Sequence, residues 1–253
     1  MQRDLTTVLK SWEFDPEDIC ARKFVGLDNR EKLQVRFELG ILQMELTGRP
    51  DGTCPRGYKS ILDFHLDSLE AYRNQNGSEA GFVLDEVACN ELWQEGMQFY
   101  QRYICLLHLE DYEGVLRDTA HKLALFDLVR TYTEDEEIKL SFEQYRPSVI
   151  MIHARSKGEI CLQSEDYEGA LDVVEEGIEE IRSFFEAFGD PELVASSEEL
   201  LALQTWSEEI RSNCPVSLRQ RLSTQLQDAV TDERYEKAAQ IRDRLQGLEG
   251  TSI

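Results

Sequence analysis

The sequence predicts a mainly α chain: a small N-terminal β-hairpin, a body of helical hairpins, and one further helical hairpin at the C-terminal end. Three observations carry this. Apolar and polar residues alternate in strand fashion only around residue 35. From about Tyr58 onward apolar residues recur at three- and four-residue spacing. A seven-residue string then recurs at successive helix starts.

The strand signal is Leu33, Val35, Phe37 and Leu39 against Gln34, Arg36 and Glu38, the period of a half-buried strand. Residues Ile19–Val25 supply a partner strand, and Gly26-Leu27-Asp28-Asn29 the turn between them. Gly40 interrupts the alternation and Ile41-Leu42 shift its phase, which marks a bulge or a strand end. Thr47–Gly52 is a turn-rich loop that closes an N-terminal unit at residues 1–52.

Residues 53–214 are expected to form the helical body. Ile61, Leu62, Leu66, Leu69 and Tyr72 share one helical face, which Asn74–Ser78 terminates. A longer pattern runs through Leu84, Val87, Leu92, Met97, Tyr100, Ile104 and Leu107. Then Glu110-Asp111-Tyr112-Glu113-Gly114-Val115-Leu116 recurs as Glu165-Asp166-Tyr167-Glu168-Gly169-Ala170-Leu171, offset by 55 residues. A weaker third copy is Glu233–Ala239. In the first two copies Asp is placed to cap a helix by accepting a backbone N–H bond, and Glu one turn in meets the positive end of the helix dipole. The Tyr ring can lie across the preceding helix, and Val or Ala lets the two helices approach closely.

After the second copy, Tyr167, Ala170, Leu171, Val174, Ile178, Ile181, Phe185 and Phe188 form an apolar stripe, with Glu175, Glu176, Glu179 and Glu180 off it. Gly189-Asp190-Pro191 ends that helix and starts another, expected from Glu192 to about Arg211 and stopped by Asn213-Cys214-Pro215. Across roughly 98–188 these hairpins resemble tetratricopeptide (TPR) repeats, whose second helix often opens on an Asp-Tyr-x-x-Ala-Leu-like string. The offset is longer than the TPR period of ~34 residues, and the Trp-Leu-Gly-Tyr pattern of TPR first helices is absent. Stacked antiparallel helices are expected; a regular superhelix and an irregular bundle both stay open.

In residues 215–253, Leu218, Leu222, Leu226 and Val230 line a first helix, Thr231–Arg234 form a turn, and Tyr235, Ala238, Ala239, Ile241, Leu245 and Leu248 line a second. Residues 218–249 resemble the UVR motif, named for the UvrB and UvrC excision-repair subunits. The resemblance runs through Leu222, Gln225-Leu226, Ala229-Val230, Glu233, Tyr235-Glu236, Ala238-Ala239, Ile241-Arg242-Asp243, Leu245 and Leu248. It implies a docking hairpin, since in UvrB and UvrC the motif mediates contact between subunits. The partner-binding residues are then Leu222, Leu226, Val230, Tyr235, Ala238, Ala239, Ile241, Leu245 and Leu248. The partner is a UVR-bearing protein or a second copy of this chain. Two short helices cannot bury their apolar seam alone, which is why such a unit seeks company.

Composition narrows the remaining classes. The net charge is −23. Arg219, Arg221, Arg234, Lys237, Arg242 and Arg244 balance Asp228, Asp232, Glu233, Glu236, Asp243 and Glu249, so the whole charge belongs to residues 1–216. A body this acidic repels a phosphate backbone. The exception is a local basic strip, Arg22, Lys23, Arg30, Lys32 and Arg36, which offers contact to nucleic acid or an acidic partner or complements the protein's own carboxylates. That strip motivates an alternative reading, an accessory excision-repair protein.

There is no GxxxxGK[ST] phosphate loop and no HExxH arrangement, so a UvrB-like ATPase is excluded and no catalytic, cofactor or metal residue is nominated. The arginine-kinase activators join a UVR motif to metal-binding Cys pairs, but the six Cys here include no CxxC and read as buried thiols. Cys105-x-x-His108 alone is a weak metal pair. Without an apolar leader or a stretch of ~20 apolar residues, a cytoplasmic, non-membrane protein is expected.

Overall fold

The computed structural model describes residues 5–187 and 191–214, with scattered positions between 226 and 242. The chain divides into two compact units, Met1–Ser207 and Glu208–Ile253. The first opens with a short helix, α1 (Thr6–Ser11). Strands β1 (Ala21–Val25), β2 (Glu31–Phe37) and β3 (Gly40–Glu45) follow as an antiparallel sheet in sequence order.

The sheet thus has one strand more than the alternation predicts. Glu38 and Leu39 form a two-residue turn after β2, and the chain reverses at Gly40. The phase shift at Ile41-Leu42 is the start of β3. Leu33 and Val35 are buried as expected, whereas Phe37 closes the strand 52% exposed and Leu39 sits in the turn at 89%. Asn29, in the β1–β2 turn, takes φ 58°, a conformation Asn tolerates better than most residues.

Successive strand residues face opposite sides. On one side Leu33, Val35 and Met44 share a core with Tyr103, Cys105, Leu106 and Val115 of the helical body. The other side is mostly polar, with Phe24 and Ile41 half-buried on it. Gln34 accepts from Arg22 Nη2 at 2.8 Å and donates to Gln43 Oε1 at 3.0 Å, a ladder across all three strands.

The helices are α2 (Ile61–Asn76), α3 (Glu86–His108), α4 (Tyr112–Tyr132), α5 (Glu136–Glu143), α6 (Arg146–Gln163), α7 (Tyr167–Ala187), α8 (Pro191–Ser196) and α9 (Glu198–Asn213). Ser60 caps α2 by accepting from Asp63 N, and Gly77 ends it at φ 74°, the left-handed cap that glycine adopts without strain. Asp135 caps α5 through Glu137 N and Ile138 N. The main core joins Leu62 and Leu69 of α2, Leu92 of α3, Leu125, Phe126 and Val129 of α4, Phe142 of α5 and Val149 of α6.

The repeated string marks two equivalent turns, α3 to α4 and α6 to α7. Asp111 Oδ1 accepts from Gly114 N at 3.1 Å, and Asp166 Oδ1 from Gly169 N at 2.9 Å. Asp111 N donates to Leu106 O and Asp166 N to Cys161 O, each at 2.9 Å. Glu110 and Glu165 hold φ 55° and 60°. A non-glycine residue in this left-handed region costs about 1 kcal/mol, and both turns accept that cost at the same place. Val115 and Ala170 are fully buried just inside the new helices.

The stripe on α7 is buried through Ala170, Val174, Ile178 and Ile181, with Glu175, Glu176, Glu179 and Glu180 exposed; Phe188 lies outside the described residues. Close approach here depends on small residues. A Cβ on Gly177 would stand 2.6 Å from Ala154 Cβ, and one on Gly158 would stand 2.7 Å from the Trp206 ring. The single helix expected after Pro191 is two helices, α8 and α9. Ser197 breaks them because its hydroxyl accepts from Leu200 N at 3.2 Å and starts α9 afresh. Among the described residues no helix is long and apolar enough to cross a membrane.

Candidate docking site

The second unit holds the residues expected to bind a partner. Helical positions are described at Leu226, Gln227, Val230 and Thr231, then from Tyr235 to Arg242 with interruptions, and Arg234 between them is not helical. Thr231 Oγ1 donates to Gln227 O at 2.9 Å, and Ala238 N to Arg234 O at 3.0 Å. Ala238 is buried, Leu226 and Ala239 are half-buried, and Val230 and Tyr235 are 50% and 67% exposed. Leu222, Ile241, Leu245 and Leu248 lie outside the described residues, as do Glu233 and Glu236 of the third copy of the repeat.

Residues 217–251 match the family model of the UvrB/uvrC motif. The tail carries a UVR motif. No curated protein and no solved structure matches the chain. The UVR motif thus carries the functional information from the comparisons, and it falls where the sequence resemblance placed it.

The five cations of the N-terminal strip do not gather on one surface. Lys23 pairs with Leu33 across the sheet and so shares the helix-facing side, where its Nζ lies 2.7 Å from the α4 cap Asp111. That ion pair, with burial opposing it and the Gly114 N–H assisting, leaves the Asp111 carboxyl below its ordinary pKa. Arg22, Lys32 and Arg36 point to the opposite side. Arg22 lies 3.9 Å from the Trp12 ring centre. Lys32 is buried between Glu45, to which it donates, and Asp28 at 3.0 Å. Arg36 donates to the carbonyls of Trp12 and Gly40, both at 3.3 Å. Arg30, in the turn, pairs with Asp28 at 2.9 Å.

Periodicity missed a chain of buried ionic groups along α3 and α4, which the surrounding apolar pattern hides. Glu95 of α3 is fully buried and caps a different helix: its carboxylate accepts from Ile61 N at 2.7 Å and Leu62 N at 3.0 Å, the first N–H groups of α2. Arg49 at 3.2 Å and His121 Nε2 at 3.1 Å complete its shell, and His121 stacks on Phe99. One helical turn or two further on, Arg102 meets Asp118 through two hydrogen bonds of 2.6 and 2.7 Å and donates to Glu45 O at 2.8 Å. These groups fix the sheet, α2, α3 and α4 to one another.

Lys122 is a further buried charge and is satisfied differently. Its ammonium faces the rings of Tyr100 at 4.8 Å, Tyr103 at 5.7 Å, Phe126 at 5.8 Å and Tyr145 at 5.9 Å, and no carboxylate pairs with it among the described residues. Burial pushes its pKa from 10.5 down to about 8, while the ring faces return part of the lost hydration. Relative to the unfolded chain the native state disfavours the ammonium, so stability rises as pH climbs from about 8 to 10.5, and this gain is absent below pH 8. Lys122→Met is expected to add about 1–3 kcal/mol at pH 7 and to flatten that rise. Denaturant midpoints at pH 7 and 9.5 check both parts.

Cysteine chemistry is muted in the body. The described cysteines are unbridged. Burial pushes the Cys105 thiol up to about 11 and also raises Cys89. His108, three residues on, has its Nδ1 3.6 Å from Asp18. Among the described residues no group of three or more His, Cys, Asp or Glu is placed to hold a metal ion.

Proposed function

We propose that this protein is a non-enzymatic cytoplasmic adaptor that docks through its UVR hairpin onto another UVR-bearing chain, either a separate protein or a second copy of itself. The observation that carries the reading is the UVR motif at residues 217–251. The exposure of Val230 and Tyr235 supports it, because both are apolar positions of the hairpin seam. A unit of this size gains stability by pairing its seam with another, as in a four-helix arrangement. Charge supports it as well, since a neutral hairpin can approach a partner that the −23 body would otherwise repel or mis-orient.

The alternative, contact with nucleic acid through Arg22, Lys23, Arg30, Lys32 and Arg36, would require these cations to leave partners within the protein. It predicts salt-sensitive binding that is lost when they are neutralised.

The adaptor reading is tested with the full chain and a Val230→Asp/Tyr235→Asp variant. Light scattering reports self-association, and immobilised UvrB and UvrC report capture of a partner. Loss of the dimer mass, or at least about a tenfold weaker capture, is expected of the variant while its body unfolds at the same denaturant concentration. Equal mass and equal capture for both proteins would remove the docking role.

A further inference from the structure

The helical body of the first unit carries a concavity among its described residues. It is an open groove of about 870 Å³ walled by α4, α5, α6 and α7. Leu140 on α5 stands in its wall 57% exposed, Ile150 lies buried beneath, and Phe184 and Ala187 continue the apolar lining along α7. A large aliphatic side chain left this exposed beside a ring and a concavity of this size marks a binding surface more often than a scattered surface residue does.

The charges around the groove are asymmetric in a way that selects an occupant. Arg146 is held by Glu143 at 2.7 Å and Asp127 at 3.0 Å, Arg130 by Asp127 at 3.1 Å, and Lys139 by Glu136 at 2.6 Å. Burial disfavours the Arg146 cation, but its bonds to Glu143 and the charges of Glu143 and Asp127 more than offset this. Every cation of the lining thus already has its carboxylate. Glu180, on the exposed edge of α7, has no ion pair or hydrogen bond recorded among the described residues. Partial burial raises its carboxyl above the ordinary value despite the nearby Arg146. The lining as a whole carries one negative charge in excess, from four carboxylates against three cations.

We propose that this groove is a second docking surface, which accepts a basic amphipathic segment of a partner protein. Apolar side chains of the segment lie against Leu140 and Phe184, and a Lys or Arg reaches Glu180. Helix-in-groove recognition combines such a floor with a charged rim, and the paired cations of this rim leave no attraction for an acidic segment.

A labelled peptide of leucine and lysine, patterned as an amphipathic helix, serves as the probe for the full chain at about 0.15 M salt, where distant surface charges are screened. Leu140→Asp and Glu180→Arg are each expected to weaken its binding at least about tenfold. Glu168→Arg, the same charge change at the start of α7, is expected to leave it within about twofold. Equal weakening by Glu168→Arg would show general attraction to an acidic body and overturn the proposal. So would binding that ignores Leu140→Asp, or a protein mass that falls with Leu140→Asp, since the latter would give the groove to a second copy of the chain. The UVR hairpin variant should bind the peptide unchanged, which separates this surface from the docking role of the tail.

Discussion

Asp118→Asn is expected to cost the body about 3–5 kcal/mol, the loss that follows when a buried ion pair is broken from one side. Asp118 and Arg102 are both fully buried, and the guanidinium meets the carboxylate through two short, parallel bonds. Asparagine keeps the volume and one acceptor but leaves the Arg102 charge uncompensated. The Arg102 bond to Glu45 O also links α3 to the end of β3, so the sheet should loosen with the helices. Arg117 touches the same carboxylate at 2.9 Å from a partly exposed position, and Arg117→Gln should cost less than about 1 kcal/mol. The measurement is the denaturant midpoint of each variant. Near-equal midpoints for Asp118→Asn and Arg117→Gln would refute the central role given to the buried pair. The double variant Arg102→Met/Asp118→Leu should recover much of the loss, because it removes both charges at once.

The second large effect is expected at Glu95. Glu95→Gln should destabilise the protein by about 3 kcal/mol, since an amide cannot accept at both oxygens from two backbone N–H groups, Arg49 and His121. Burial alone would push the Glu95 carboxyl up. The His121 bond and the N–H groups of Ile61 and Leu62 outweigh it, and the pKa lies below the ordinary 4.5. A carboxyl lowered in the folded state contributes stability that is complete above pH 4.5 and is lost as pH falls through the lower folded value. The wild-type urea midpoint should therefore drop on acidification below pH 4.5, and the Glu95→Gln variant should drop less steeply from a lower start. Parallel pH profiles would show that this carboxylate contributes nothing pH-dependent to the fold.

Much of the architecture was legible because periodicity reports burial directly. The stripe from Ala170 to Ile181 faces the core, and the strand at Leu33 and Val35 does the same. Cap chemistry was legible too: Asp111 and Asp166 were readable as helix caps because the donor they satisfy lies three residues away in the same string. Signals that involve distant residues were not legible. Glu95 caps a helix that begins 34 residues earlier, and nothing in its neighbourhood separates it from the many solvated glutamates. Lys122 likewise looks like a surface residue of α4 until α3 and the α5–α6 turn bring rings to it. The break at Ser197 was missed because a mid-helix serine and a capping serine look alike in sequence. The third strand was missed because a two-residue turn resets the alternation with no proline or paired glycine to announce it. Of the tail, the UVR resemblance was legible in the sequence, and the family match at residues 217–251 agrees with it.

The two left-handed glutamates, Glu110 and Glu165, are one helix stop used twice. At each, the Asp that follows does two jobs: its N–H reaches the carbonyl five residues back and closes one helix, and its carboxylate accepts from the N–H three residues on and opens the next. Two helix ends thus hang on a single residue at each turn, so the loss of Asp111 or Asp166 would loosen the helix before it as well as the helix after it.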